Sequence, residues 1–432
     1  MDSNNKRRFL YPKSFIASTG FAAFHSHEYR LFWVAAACSN IGMWALVYGR
    51  LWLMHSLTDS TLMVGLVSTA TLGPVLIFAV WGGAVADRVN RLRLVQITRG
   101  MFAFLALLTG LLIAAGLIQP WHIIAISLAT GLLLSFDIPS RSAMLPALLP
   151  RQHLASGIAL YSLVFGGASI VGPVFFAPLV QLWGIEGIFF LIGGSYILTV
   201  VALLFMQSSR HDQQSQSTNL ARGVIEGLKY LRQQRPLMGI VFLGIIVGLF
   251  GTSFEALLPA FSDNVLQGGV KTYSRLLLFE GIGGLTATLI IAVLGPRIQP
   301  TRYMFLGAVG FGLGLLALGS NSWLVAAVLM MSLLGGSRVL FGTLSTTMMQ
   351  TLSSDEFRGR VMSLHEFTWG ANALGSIMMG TLAVGVGVSA AVAIGGGMVV
   401  VGALLVALWM LRGRPAQISD LDAAIAPPRP LT

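Results

Sequence analysis

A few charged side chains stand inside long apolar stretches of this chain, and each must find a partner or water there. A charge at mid-bilayer costs about 2.5–3.5 kcal/mol on insertion scales, so such residues are held for a reason. Arg50 and Glu255 occupy matching depths in two apolar runs, and Glu280 lies at a similar depth early in the next. At about 1.5 Å per residue of helix, all three reach the same outer third of a membrane. Arg338 and Glu366 match each other nearer the opposite face. These two either pair structurally or join Asp137 and Arg141 as an inner charge cluster alongside Asp87. A buried carboxylate beside a guanidinium can do two things: hold a structural ion pair, or take up a proton and let its partner go. For Arg50 and Glu255 the plainer alternative is that Arg50 snorkels outward and Glu255 sits at the interface. His365, beside Glu366, reads as a hydrogen-bonded packing residue ahead of a proton relay.

Other chemistry is missing. The sequence holds no G-x-x-x-x-G-K-[ST] loop for ATP, no G-x-S-x-G elbow and no H-E-x-x-H pair. Gly312-Leu-Gly314-Leu-Leu-Ala317 imitates a dinucleotide fingerprint but sits inside an apolar run with no strand before it. The lone Cys38 excludes an intrachain disulfide and a multi-cysteine metal centre. An enzyme is therefore not expected, and neither is a cofactor or a metal. Energy for any work must come from an ion gradient or from the substrate's own gradient. Among the aromatics, Trp44 and Tyr48 share a helix face, and with Trp369 they are candidates to line a cavity for a bulky, flat or cyclic ligand.

The elements that must position these groups follow from composition. Of 432 residues, 55% are hydrophobic and only 10% charged, with a mean hydropathy of +0.79. A soluble surface could not be covered with so few charges, whereas a lipid-facing one needs none. The net charge of +11 raises nucleic-acid binding, but the basic residues sit in short gaps between apolar runs and are not interleaved with aromatics, so nucleic acid is not an expected partner. Lys6-Arg7-Arg8 precedes a stretch broken by Pro12, Lys13 and Gly20, too interrupted for a signal-peptide core.

Twelve runs are long enough to cross a hydrocarbon core, an all-α membrane protein: 31–55, 62–86, 94–116, 120–138, 155–181, 185–206, 237–261, 274–295, 303–319, 322–345, 361–384 and 388–411. Most of the 27 lysines and arginines fall on one side of this arrangement, which places both termini in the cytoplasm. The polar stretch 207–235 divides the runs six and six, and its Arg222 to Arg232 portion has helical apolar spacing suited to the inner membrane surface. The expected organisation is a cytoplasmic segment 1–30, a six-helix half 31–206, a linker 207–235, a second half 236–411 and a cytoplasmic tail 412–432. Offset against itself, the chain lays Asp59 on Asp263 and Leu160 on Leu364, a weak repeat that fits two similar halves around a cavity.

One loop is sharper than the rest. Gly83-Ala-Val-Ala-Asp87-Arg88-Val-Asn-Arg91-Leu-Arg93 resembles the G-x-x-x-D-R-x-G-R-R signature of the major facilitator superfamily, with Asn90 and Leu92 as departures. The resemblance implies a conformational latch: Gly83 for close helix contact, Asp87 for bonds across the halves, and Arg88, Arg91 and Arg93 at the headgroups. Further marks resemble the macrolide-efflux and enterobactin-exporter branch. They are Tyr29-Arg-Leu-Phe-Trp33, Leu57-Thr-Asp-Ser60, Pro74, Asp137-Ile-Pro139-Ser-Arg141, the Gly172-Pro173 expected to bend helix five, and Arg358-Gly-Arg-Val-Met-Ser-Leu364. Ser169, Tyr161 and Gly166 stand where that branch often carries arginine and asparagines, and Arg50 where glutamine is frequent.

The fold so implied sets helices one and seven face to face across a cavity. Arg50 and Glu255 are then expected to pair near the extracellular side as a gate or proton-linked switch, with Glu280 competing. The resemblance implies a monomeric transporter in the bacterial cytoplasmic membrane that exports a small organic molecule, a siderophore or macrolide-like drug, by proton antiport. A proton-coupled importer and a non-transporting membrane sensor remain the alternatives.

Overall fold

The computed structural model describes residues 22–86, 88–150, 153–206, 220–294, 299–354 and 357–411. Long helices follow one another with short turns. They are α1 (His27–Thr58), α2 (Thr61–Ala86), α3 (Arg91–Ala114), α4 (Pro120–Ala147), α5 (Leu154–Leu204), α6 (Leu220–Gln233), α7 (Arg235–Ile246), α8 (Gly269–Leu294), α9 (Pro300–Gly319), α10 (Leu324–Leu352), α11 (Arg358–Val386) and α12 (Val388–Leu411).

Local chemistry sets the ends of these helices. Ser26 caps α1 by accepting from the Tyr29 amide, and the helix stops at Asp59, whose φ of 49° turns the chain out of the helix. The side chain of Asn90 accepts from the Arg93 amide at 3.1 Å and starts α3. Proline in the first turn starts α4, α7 and α9, where its missing amide hydrogen costs nothing. The run α5 breaks once, at Gly184, with φ 69° and ψ 175°. Only glycine adopts that conformation without strain. The two arms of α5 therefore meet in a turn with no loop, at the boundary expected between the runs 155–181 and 185–206.

Between α7 and α8 the expected continuous helix is irregular. A π-turn covers Val247–Gly251, a 3-10 turn Thr252–Ala256, and a second π-turn Phe261–Val265. Pro259 gives part of the reason, since it has no amide hydrogen to return to the carbonyl of Glu255 four residues back.

One face of the bundle holds the start of α1 and both ends of α6; it is called here the linker face. The opposite, or far, face holds the α1–α2 turn, Gly184 and the start of α8. The helices before residue 207 pack as one group, with α1 on α5, α2 on α4, and α3 on both α4 and α5. Those after residue 219 pack α8 on α10 and α9 on both α10 and α12. The groups meet where α2 runs along α11 and α5 along α8. In the first of these seams Thr61 Oγ1 donates to the Gly380 carbonyl at 2.9 Å and Thr69 Oγ1 to the Ala373 carbonyl at 2.5 Å. The amphipathic α6 lies on α11, stacking Tyr230 on Phe357 at 4.5 Å, while its hydroxyl accepts from the Ser354 amide.

Among the described residues, ten helices are long and apolar enough to cross a membrane, and Gly370–Val386 of α11 is a shorter apolar stretch. The bundle's outside matches: Val293 is 78% exposed and Leu182 73%, as a lipid-facing surface requires.

Candidate functional site

The first charged centre joins α8, α10 and the 3-10 turn Thr252–Ala256 of the second group. Arg338 of α10 donates through Nη1 to Glu255 Oε1, and the same nitrogen lies 3.2 Å from Glu280 Oε1 on α8. The second contact is an ion pair off the hydrogen-bond angle, and Glu280 Oε1, fully buried, has no hydrogen-bond partner among the described residues. Backbone proximity builds this centre. A Cβ placed on Gly335 would lie 1.8 Å from the Glu280 carbonyl oxygen, so α10 and α8 touch there without side chains between them. Arg338 is three residues further on and therefore on the same face of α10. Glu255 reaches the pair from the 3-10 turn. With both carboxylates ionised the triad carries one excess negative charge; binding one proton balances it.

The second centre lies in the first group, nearer the linker face. Asp137 of α4 is completely buried. Its Oδ2 accepts from Arg99 Nη2 at 2.6 Å and from Arg141 Nε at 2.7 Å, and its Oδ1 accepts from Thr98 Oγ1 at 2.9 Å. Arg141 also donates to the Tyr161 hydroxyl at 2.7 Å. The Arg99 guanidinium rests over the rings of Phe102 and Tyr196, 5.5 and 5.7 Å from their centroids. Arg99 is a residue that sequence reasoning missed. Its place more than two turns into α3, among apolar residues, is the signal that marks it.

The Arg50 to Glu255 pair does not form. Arg50 is 3% exposed, and its Nε and Nη2 have no partner among the described residues. The cause is helical phase. Tyr48 and Trp52 look across at the second group, where the Tyr273 hydroxyl donates to the Tyr48 carbonyl and the Tyr273 ring stacks on Trp52 at 5.4 Å. Arg50, two residues from both, points the other way. Its neighbour Gly49 faces Phe176 and Phe189 of α5, inside the first group. Arg338, assigned from sequence to the inner level with Glu366, instead sits with Glu255 and Glu280. Its helix runs on to Leu352, which returns it to mid-depth.

Trp44 and Tyr48 do share a face and stack, with centroids 5.7 Å apart; Tyr48 is buried. Gly172 abuts the Trp44 backbone and Cβ. In the signature loop, Gly83 has open space where a side chain would go; the close approach belongs to Gly82, against the Ser135 carbonyl of α4. Arg88 and Arg93 are exposed, and Arg91 Nη1 donates to the Ala143 carbonyl at 3.4 Å. Asp87 lies outside the described residues, as do the side chains of Pro173, His365, Glu366 and Trp369. No group of three metal-ligating side chains occurs among the described residues.

Comparison with known proteins agrees with this architecture. The chain is 26% identical over 386 residues to the enterobactin exporter of Escherichia coli O1:K1, covering 86% of this chain and 90% of that one. It is 24% identical over 343 residues to the staphyloferrin A transporter of Staphylococcus aureus, covering 78% and 85%. Among solved structures it is similar to a POT family transporter in complex with 5-aminolevulinic acid, with a TM-score of 0.71 at 12% identity over 90% of this chain and 96% of that one. It is likewise similar to a D-xylose-proton symporter, with a TM-score of 0.69 at 13% identity over 88% and 96%. The family model described as transmembrane secretion effector matches residues 18–430, and the chain belongs to that family, in the exporter-like branch of the major facilitator superfamily.

Proposed function

We propose that this membrane transporter exports a siderophore or a related organic metabolite by alternating access, in exchange for protons. The observation that carries the reading is the triad of Arg338, Glu255 and Glu280. Two carboxylates, one of them buried, share one guanidinium, so the centre is balanced only when it holds a proton. Such a site can exchange protons as the helices around it move. The substrate class rests on the relatives, which are named for enterobactin and staphyloferrin A. On this reading the linker face is cytoplasmic, both termini lie inside, and the two groups are six-helix halves, 31–206 and 236–411, each arm of α5 and all of α11 counting as crossings. The dense contacts at the far face then describe a transporter closed to the outside.

Purified protein in liposomes with an imposed pH gradient tests this against enterobactin, staphyloferrin A and a macrolide. A siderophore should move against the proton flux, stop when an ionophore collapses the gradient, and slow at least tenfold in Glu280→Gln. If no compound responds to the gradient in either direction, proton coupling is wrong.

A further inference from the structure

At the far face, a histidine of the first group is held between two carboxylates, one from each group. His55, in the last turn of α1, is 2% exposed. Its Nε2 lies 3.3 Å from Asp263 Oδ2, in the second π-turn of the other group. Its Nδ1 lies 3.7 Å from Asp59 Oδ1, the residue that ends α1. Asn264 Nδ2 donates to the same Asp59 oxygen at 3.3 Å, so the chain end bearing each carboxylate is tied to the other group. The edge of Trp52 closes over the imidazole at 5.8 Å.

An ionised carboxylate only accepts hydrogen bonds, and a neutral imidazole carries one N–H. Both ring nitrogens here face carboxylates, Nε2 within hydrogen-bond reach and Nδ1 at ion-pair distance, so only the doubly protonated ring carries the charge that both carboxylates attract. Nδ1 is buried and makes no hydrogen bond among the described residues, so its contact with Asp59 holds only by charge. Among the described residues no other charged side chain pairs with these three. On α8, Lys271 and Arg275 are exposed and form no ion pair among the described residues, and Tyr273 stacks on Trp52. The neighbouring stretches 61–80 of α2, 370–386 of α11 and 388–411 of α12 contain no charged residue.

We propose that His55, Asp59 and Asp263 form a pH-sensitive clasp that fastens the far face shut when the histidine is protonated. Histidine is the side chain whose ordinary titration falls between pH 5 and 8. Without the proton the positive charge is lost, and the one contact of the imidazole that crosses the groups, Nε2 to Asp263, reverts from a charge-assisted bond to a neutral one of roughly half the strength. Asp59 and Asp263 coincide when the chain is offset against itself, so the clasp joins equivalent points of the repeat, each ending the first crossing of its group. It acts on the far face alone and does not depend on proton exchange at Arg338, Glu255 and Glu280.

The test is a distance measurement on the full chain in lipid nanodiscs. Cys38→Ser removes the native thiol, and spin labels at Leu117→Cys and Ser322→Cys report the separation of the two groups at far-face turns. Between about pH 5.5 and about pH 8 the ratio of short to long distances should fall roughly five- to tenfold. His55→Gln should flatten that response, and His55→Lys should keep the short distance at both pH values. Should these variants fail to fold, Asp263→Asn, at a half-exposed site, must abolish most of the response. A wild-type distance that ignores pH, or a response that survives His55→Gln or Asp263→Asn, overturns the clasp.

Discussion

Replacing Asp137 by Asn should cost this protein far more than replacing Arg99, although the two side chains share one short bond. The reason is charge balance inside the first group. As it stands, one buried carboxylate faces two buried guanidiniums, those of Arg99 and Arg141. Asp137→Asn leaves two cations with no counter-charge and turns an amide N–H₂ or a weaker acceptor toward them. Breaking a buried pair in this way costs about 3–5 kcal/mol, which corresponds to about two to four powers of ten in the folded fraction. Arg99→Met takes away one charge-assisted bond of about 1.5–3 kcal/mol but leaves Arg141 and Asp137 as a neutral pair, and it removes the repulsion between the guanidiniums. Its net cost should stay below about 2 kcal/mol. Thermal or denaturant unfolding of the detergent-solubilised protein, followed by tryptophan fluorescence, ranks the two variants directly. Equal destabilisation by both, or a milder effect for Asp137→Asn, would refute the charge accounting.

Other contacts give sharper contrasts between neighbouring positions. Gly335→Ala drives a methyl into the Glu280 carbonyl, so it should destabilise by about 1–3 kcal/mol in the same unfolding assay and slow transport with it. Gly83→Ala, at a site with open space, should change stability by less than about 0.5 kcal/mol. Gly65→Val adds bulk at a point 2.4 Å from the Ser376 carbonyl in the α2–α11 seam; the far-face labels should report a more open population, and no change in distance would count against the seam as the closing contact. Tyr230→Leu loses the stack on Phe357 and the bond from Ser354, so hydrogen exchange over 220–233 should speed up by about tenfold.

Much of the bundle was legible from the chain alone, because apolar length is a strong signal when the solvent is lipid. The runs 62–86, 120–138 and 388–411 are helical in the structure, and the amphipathic spacing around Arg222 to Arg232 became α6. What escaped was rotation about the helix axis and small errors of length. Depth alone paired Arg50 with Glu255, but two residues of phase separate Arg50 from the face that Tyr48 and Trp52 present. Ending the tenth run at 345 rather than at Leu352 put Arg338 at the wrong level, away from the carboxylates it holds. The irregular backbone around Glu255 was equally hidden, since glycines and one proline in an apolar run do not say where π- and 3-10 turns will fall. Gly82 rather than Gly83 takes the close contact for the same reason: adjacent glycines differ only in the direction they face.

The turn at Gly184 has a mechanical consequence. Its two arms are long, and no loop lies between them to absorb a displacement. The first arm meets the opposite group, where Phe176 lies edge-on to Tyr273 of α8. The second arm is wedged against its own group: Phe189 meets Gly49, Tyr196 lies beside Gly42, and Leu107 of α3 fills the space at Gly193. A push from α8 on the first arm meets α1 directly, where Phe176 and Gly172 lie against Gly49 and Trp44, and reaches α3 only through the loopless turn and the second arm, so a single residue links the two routes.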